Sequence, residues 1–128
     1  MTYSEVDELV AEIGVPYSYW QFPQGTAQPC PFVCFYFSGS DDFLADNVNY
    51  VPIRPLVIEL YTDAKDYAME AAVEAVLTSH QLVFSRSEAY IEVERMNMVT
   101  YVTEIVVTPE PETAEAPAEE PAEEDNNV

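Results

Sequence analysis

Apolar residues near the N-terminus recur at helical spacing. They form a single stripe made of Val6, Leu9, Val10 and Ile13. Ser4 is expected to cap this helix, with Asp7 three residues later in the capping-box position. Gly14 and then Pro16 follow the stripe, and this order predicts that the helix ends there.

The following segments are typical of strands. The aromatic stretch 17–22 predicts one strand, and the segment 32–39 predicts another. The apolar run in the second of these indicates that both of its faces are covered over part of its length. Proline and glycine predict a loop over residues 23–31, between the two strands.

A long strand is predicted from about Asn49 to Thr62. Pro52 and Pro55 limit its early half to a sheet edge or a bulge. In its later half the side chains alternate between two faces, with Leu56, Ile58 and Leu60 on one and Val57, Glu59 and Tyr61 on the other.

A second helix follows this strand with little connecting chain. It is predicted to start at Asp63 or Asp66 and to run to about His80. Its expected buried stripe consists of Ala68, Met69, Ala72, Val73, Val76 and Leu77.

Strands return after the second helix. The segment 82–94 predicts one or two strands, and 97–107 alternates most clearly in the chain, with Met98, Thr100 and Val102 on one face and Val99, Tyr101 and Thr103 on the other. The order helix, strands, helix, strands predicts an α+β fold, in which two α-helices pack on one face of an antiparallel β-sheet.

The patterned part of the chain is expected to be one domain, residues 1–108. Residues 109–128 are rich in Pro, Ala and Glu and contain no aromatic residue, so they are expected to form a disordered acidic tail. We find no internal repeat.

The chain carries a formal net charge of -20, with 24 acidic and 4 basic residues. Residues 1–108 hold 16 of the acids and all 4 bases, so the expected domain is itself strongly acidic. Such a surface disfavours nucleic-acid and anionic-lipid binding, because it lacks the cations that displace counterions. No signal peptide and no membrane span is predicted, and the expected compartment is a reducing cytoplasm or a particle assembled in one.

Few residues offer catalytic or metal chemistry. The single histidine, His80, is expected at the C-terminal end of the second helix, where it can interact with the last carbonyls. Cys30 and Cys34 lack the partners of a zinc site, and they are interpreted as small apolar side chains. We therefore expect no enzyme activity, no catalytic, cofactor-binding or metal-binding residues, and no cofactor.

Several stretches together resemble a known family. They are TYSEVDELVAEIGVPYSYWQF, PCPFVCFYFSGSDDFLADNVNYV and IELYTDAKDYAMEAAVEAVL, and the resemblance covers about residues 2–107. The family is that of tail-completion or tail-terminator proteins, which join head to tail in long-tailed bacteriophages and prophages.

The resemblance implies a structural role in the virion tail or neck. Such proteins cap the tail tube and join it to the head connector as a homo-oligomeric ring, commonly a hexamer. The implied partners are the tail tube protein and the head–tail connector proteins. Assembly takes place in the bacterial host cytoplasm, with no membrane. Genomic DNA would cross the lumen without specific binding, and an acidic wall suits that passage. The loops 21–31 and 38–48 are candidate contacts with tube or connector.

Other functions compete with this interpretation. A head-completion or connector protein, or a tail-tube subunit, would share its structural character. An acidic DNA mimic that inhibits a basic host enzyme would fit the charge. A hydrolase would need a cleft with a pKa-shifted acid, and the sequence offers no candidate for one.

Overall fold

The structure, a computed structural model, describes residues 1–21, 29–39, 43–45 and 49–109, with backbone alone for 43–45 and 49–51. This part of the chain contains two helices, α1 (Tyr3–Ala11) and α2 (Tyr67–Ser79). Its strands are β1 (Tyr17–Tyr19), β2 (Phe32–Phe37), β3 (Phe43–Ala45), β4 (Asn49–Val51), β5 (Ile53–Thr62), β6 (Phe84–Ile91) and β7 (Met96–Val106). From position 110 onward, the expected disordered tail lies outside the described residues.

Five strands form the main sheet, in the order β1-β2-β5-β7-β6, while β3 pairs with β4 separately. The α+β prediction is confirmed. The sheet is not purely antiparallel, however, since β1 and β2 pair in parallel, with Tyr17 opposite Val33. A parallel pair needs a connection of roughly a dozen residues, and the segment 20–31 between these strands is long enough to supply it.

Helix α1 begins earlier than predicted. Thr2 is its N-cap: the hydroxyl of Thr2 accepts from the backbone N–H of Glu5 at 3.1 Å, and the N–H of Thr2 donates to the Glu5 carboxylate at 2.9 Å. The expected Ser4–Asp7 capping box is therefore wrong. The longer Glu side chain reaches back to the cap N–H from the third helical position, where this motif favours Glu or Gln.

Both helices pack on one face of the sheet, as predicted. The buried cluster joins Val6, Leu9 and Val10 of α1 and Val73 and Leu77 of α2 to Val33, Phe35, Leu56, Ile58, Leu60, Val99, Tyr101 and Ile105 of the strands. Strand alternation places these strand residues on one side, here called the core face.

The opposite side of the sheet, here called the open face, has no helix against it in the described part of the chain. It carries Phe32, Cys34 and Tyr36 of β2, Val57, Glu59 and Tyr61 of β5, and Met98, Thr100, Val102 and Glu104 of β7. Val57 and Cys34 are buried, whereas Tyr36, Glu59 and Tyr61 are half-buried.

The predicted long strand is divided at Pro52 into β4 and β5. Within β5, residues 56–61 pair with β2. Pro55 therefore lies where β5 pairs with β7 alone. A proline that cannot donate to a ladder is tolerated at such a position, as expected.

Helix α2 starts after Asp66, whose side chain accepts from the N–H of Met69 at 3.1 Å. Of the two predicted starts, Asp66 is therefore the observed one. The predicted stripe is confirmed at Val73 and Leu77, but Ala68 is exposed. The sequence interpretation missed Glu70, which is 3% exposed.

Candidate interaction surface

His80 lies at the C-cap of α2, as predicted, and its backbone N–H reaches the carbonyls of Val76 and Leu77 at 3.2 Å each. Its ring also contacts Glu12, with Nε2 3.1 Å from both carboxylate oxygens. The contact joins the ends of the two helices, and sequence spacing alone could not have placed Glu12 there. The arrangement ties the two helices together on the core side.

The two cysteines are free thiols. Cys34 is buried, which agrees with its interpretation as an apolar side chain, and Cys30 is half-buried. Burial, together with the nearby Glu59 carboxylate, raises the pKa of Cys34 to about 11. At neutral pH this thiol stays protonated and unreactive. Within the described ranges, no group of three or more His, Cys, Asp and Glu side chains could hold a metal ion.

A charge network surrounds the buried Glu70 between α2 and β6. Lys65 Nζ lies 2.9 Å from Glu70 Oε2 and Arg86 Nη2 lies 3.5 Å from Oε1. Lys65 also pairs with Glu88 at 2.9 Å, and Arg86 with Glu74 at 3.2 Å. Lys65 donates a hydrogen bond to Glu70 Oε1 at 3.0 Å, whereas Oε2 has no hydrogen-bond partner and contacts Lys65 through the ion pair alone. Two of the chain's four basic residues, Lys65 and Arg86, thus form ion pairs within the chain.

The network shifts the titration of its members. Hydrogen bonds to Glu70 and Glu88 raise the pKa of Lys65, and the bond from Lys65 lowers the pKa of Glu88. Burial, followed by the hydrogen bond to Glu74, raises the pKa of Tyr101. These shifts belong to a structural ion-pair network, because each charged group already has a partner of opposite sign.

The remaining two cations differ from each other. Arg54 Nη1 donates to the carbonyl of Gly39 at 3.4 Å. Arg95 lies in the turn between β6 and β7, with a positive φ of 57°, and its backbone N–H donates to the backbone carbonyl of Glu92 at 3.2 Å. In the described part of the chain the Arg95 side chain forms no ion pair.

Aromatic side chains and one carboxylate form a compact patch on the open face. Glu59 accepts from the hydroxyl of Tyr61 at 2.7 Å and from that of Tyr36 at 3.0 Å. Trp20 packs edge-on against Tyr36, with 4.6 Å between ring centroids, and Phe32 stacks on Tyr61 at 4.8 Å. We call these five residues the aromatic patch.

The two tyrosines of the patch are held in the neutral form. Burial, followed by the hydrogen bond to Glu59, raises the pKa of both Tyr36 and Tyr61. Both phenols therefore remain donors at physiological pH, and they orient the Glu59 carboxylate. No cation among the described residues neutralises this carboxylate.

Large apolar side chains are exposed at both edges of the sheet. Tyr19 and Trp20 lie at the β1 edge, and Val83 and Tyr90 lie at the β6 edge, with Val93 in the turn after β6. Aromatic residues that are exposed in this way are enriched at protein interfaces. The two edges present different side chains, so each could bind a different surface.

An open cavity of about 480 Å³ lies beside the β1 edge, and it is lined by Tyr3, Asp7, Tyr19, Phe35, Phe37 and Arg54. Tyr3 packs edge-on against Phe37, with 5.1 Å between ring centroids. The cavity extends the exposed aromatic surface of that edge around to the core face.

The candidate contact loops predicted from the sequence fall largely outside the described residues. Of the loop 21–31, residues 22–28 lie outside, and of the segment 38–48, residues 40–42 and 46–48 lie outside. Both helices in the described ranges are too short and too polar to cross a membrane.

Comparison with known proteins finds likeness among solved structures. No protein-family model matches the sequence, and a search of curated proteins finds no relative. Among solved structures, the chain is similar to one from the virion of a native gene transfer agent particle, with 20% identity and a TM-score of 0.49. The match covers 75% of this chain and 81% of that one.

Proposed function

We propose that this chain is a structural virion protein of a tailed bacteriophage or prophage, and that it caps the tail tube and joins it to the head connector as a ring. The observation that carries the proposal is the presence of unlike, exposed apolar surfaces at opposite edges of one rigid sheet. Unlike surfaces pair head to tail, and head-to-tail pairing closes into a ring when the rotation between copies allows it. The family resemblance of residues 2–107 supports the same role.

The charge of the domain supports the passage of DNA through such a ring. Lys65 and Arg86 are engaged with carboxylates, and Arg54 with a backbone carbonyl. Few cations are left to replace the counterions of DNA, so a lumen lined by this protein would not retain phosphates. This role implies two partners, the tail tube protein on one side of the ring and the head connector on the other.

The direct test is to delete the gene from a virus or prophage that carries it and to image the particles by electron microscopy. The expected result is filled heads separated from tails, with tails of uncontrolled length, and rescue by the gene supplied in trans. Normal, infectious particles after deletion would overturn the proposal. Immunogold labelling of wild-type particles adds position: label at the neck supports a terminator, whereas label along the tube supports a tube subunit instead.

The anionic lumen is tested by charge reversal. Glu8 of α1 and Glu104 of β7 are exposed acids on different surfaces, and each is reversed to Lys separately. If one of them lines the lumen, its variant should assemble into particles normally but eject DNA more slowly. Wild-type ejection kinetics in a wider set of such reversals would count against an acidic channel wall.

A further inference from the structure

We propose that neighbouring copies of this chain bind head to tail, with Arg95 of one copy seated against Glu59 and the aromatic patch of the next. The inference rests on the ring role proposed above and names the contact that would build the ring. It starts from two unmatched charges, one acidic and one basic, on different parts of the same domain.

Glu59 is the acidic half of the contact. Each of its carboxylate oxygens accepts one phenolic hydrogen bond, at 2.7 Å from Tyr61 and 3.0 Å from Tyr36. A carboxylate offers about four acceptor sites, so Glu59 can still receive two parallel N–H groups from a guanidinium. A half-buried charge without a counter-charge is unfavourable, and a cation from a partner would relieve that cost.

The rings around Glu59 suit a guanidinium better than a simple ammonium. Tyr36 and Tyr61, which bind the carboxylate, each pack against a second ring, that of Trp20 and that of Phe32 respectively. Arginine stacks on aromatic faces while its planar fork binds a carboxylate, so one Arg side chain can use both features of the patch.

Trp20 is held at the rim of the patch in an unusual conformation. Its φ is 72°, in the left-handed region that bulky residues rarely adopt, and it is 56% exposed. Its backbone N–H donates to the carbonyl of Phe35 at 2.7 Å, which fixes the indole beyond the end of β1. Strained backbone tends to occur at functional positions, and exposed Trp is among the residues that dominate interface energetics.

Arg95 is the basic half of the contact. The other three basic residues of the chain are already bound to Glu70, Glu74 and Glu88 or to the Gly39 carbonyl. Arg95 sits in the β6–β7 turn next to Val93, which is 93% exposed. When two copies of so acidic a chain meet, Arg95 is the cation that can reach a carboxylate without breaking an internal pair.

The two halves lie on different parts of the domain. The aromatic patch covers β1, β2 and β5, while the β6–β7 turn joins the two strands at the opposite lateral edge of the sheet. One copy can therefore donate its turn to a neighbour and receive a turn from another, which is the heterologous arrangement. A two-fold dimer would instead bring identical surfaces together.

The test compares charge variants of the full chain by sedimentation equilibrium and native mass spectrometry. Arg95→Glu and Glu59→Arg should each weaken self-association roughly 30-fold or more, as expected for breaking a desolvated charge pair. The double variant should self-associate at least about tenfold more tightly than either single variant. Glu104→Arg, on the same face, serves as a matched control and should associate like the wild type.

One further variant and one melting measurement keep the result interpretable. Glu59→Gln removes the charge but keeps the shape and hydrogen-bonding capacity, so weaker association of a normally folded Gln variant supports the pairing. The Arg95 side chain has no ion pair to lose among the described residues, so Arg95→Glu should melt like the wild type. Wild-type association of Arg95→Glu, or failure of the double variant to regain affinity, overturns the proposed contact and leaves the ring role standing. A wild-type chain that stays monomeric at all concentrations and is absent from particles overturns both.

Discussion

Removing both cations around Glu70 should destabilise the domain strongly. The change is Lys65→Met together with Arg86→Met, which keeps long, flexible side chains over α2 and β6. It leaves the carboxylate of the buried Glu70 side chain without the ion pairs at 2.9 and 3.5 Å. Water cannot replace these partners without entering the packed space between helix and sheet.

The magnitude follows from the burial of each group. Breaking a buried ion pair from one side costs about 3–5 kcal/mol, because an uncompensated charge stays behind. The side chains of Lys65 and Arg86 are 29% and 38% exposed, which lets water approach from one side. We therefore expect the lower end, about 3 kcal/mol. At roughly 4 °C per kcal/mol for a domain of about 100 residues, the melting temperature falls by about 12 °C.

Thermal unfolding followed by circular dichroism measures the effect. Adding Glu70→Met to the double variant should restore stability to within about 1 kcal/mol of the wild type, since apolar replacement of a whole buried ion group is often neutral. A double variant that melts within about 2 °C of the wild type at pH 7 would refute the reasoning.

Three smaller predictions test other parts of the fold. Thr2→Ala should cost about 1 kcal/mol of unfolding free energy by losing the capping box, and Thr2→Ser should retain most of it, as measured by urea titration. Cys34, with its pKa raised to about 11, should resist alkylation in the native protein at pH 8 and react fully in urea, by peptide mass mapping; equal rates would contradict its burial. The raised pKa of Tyr61 favours the neutral phenol in the folded state. The contribution of Tyr61 to stability is therefore complete when the pH is below the ordinary pKa of tyrosine, and it is lost as the pH rises above that pKa. Tyr61→Phe should flatten that alkaline loss in denaturation curves recorded across pH, and an unchanged slope would count against the Glu59 bond.

Local patterns predicted the elements more reliably than their boundaries. The alternation of β5 and β7 was predicted for the correct faces, and Val73 and Leu77 of α2 were placed in the core. Both kinds of prediction depend on a period that the backbone geometry itself imposes. The N-cap of α1 was misplaced, because Thr2 with Glu5 and Ser4 with Asp7 have the same spacing; the preference of the motif for Glu or Gln at the third helical position favours Thr2 with Glu5.

The composition and periodicity of the chain determined the α+β class, the acidic domain and the two faces of each strand, because these depend on residues close in sequence. The parallel pairing of β1 with β2 was decided by tertiary structure, as was the burial of Glu70 between Lys65 and Arg86. The candidate interaction surface belongs to the same category: Trp20, Tyr36 and Glu59 come from three strands or strand ends that the chain order separates. Residues far apart in sequence become neighbours only through sheet order and register, and a one-residue change of register would send each side chain to the other face.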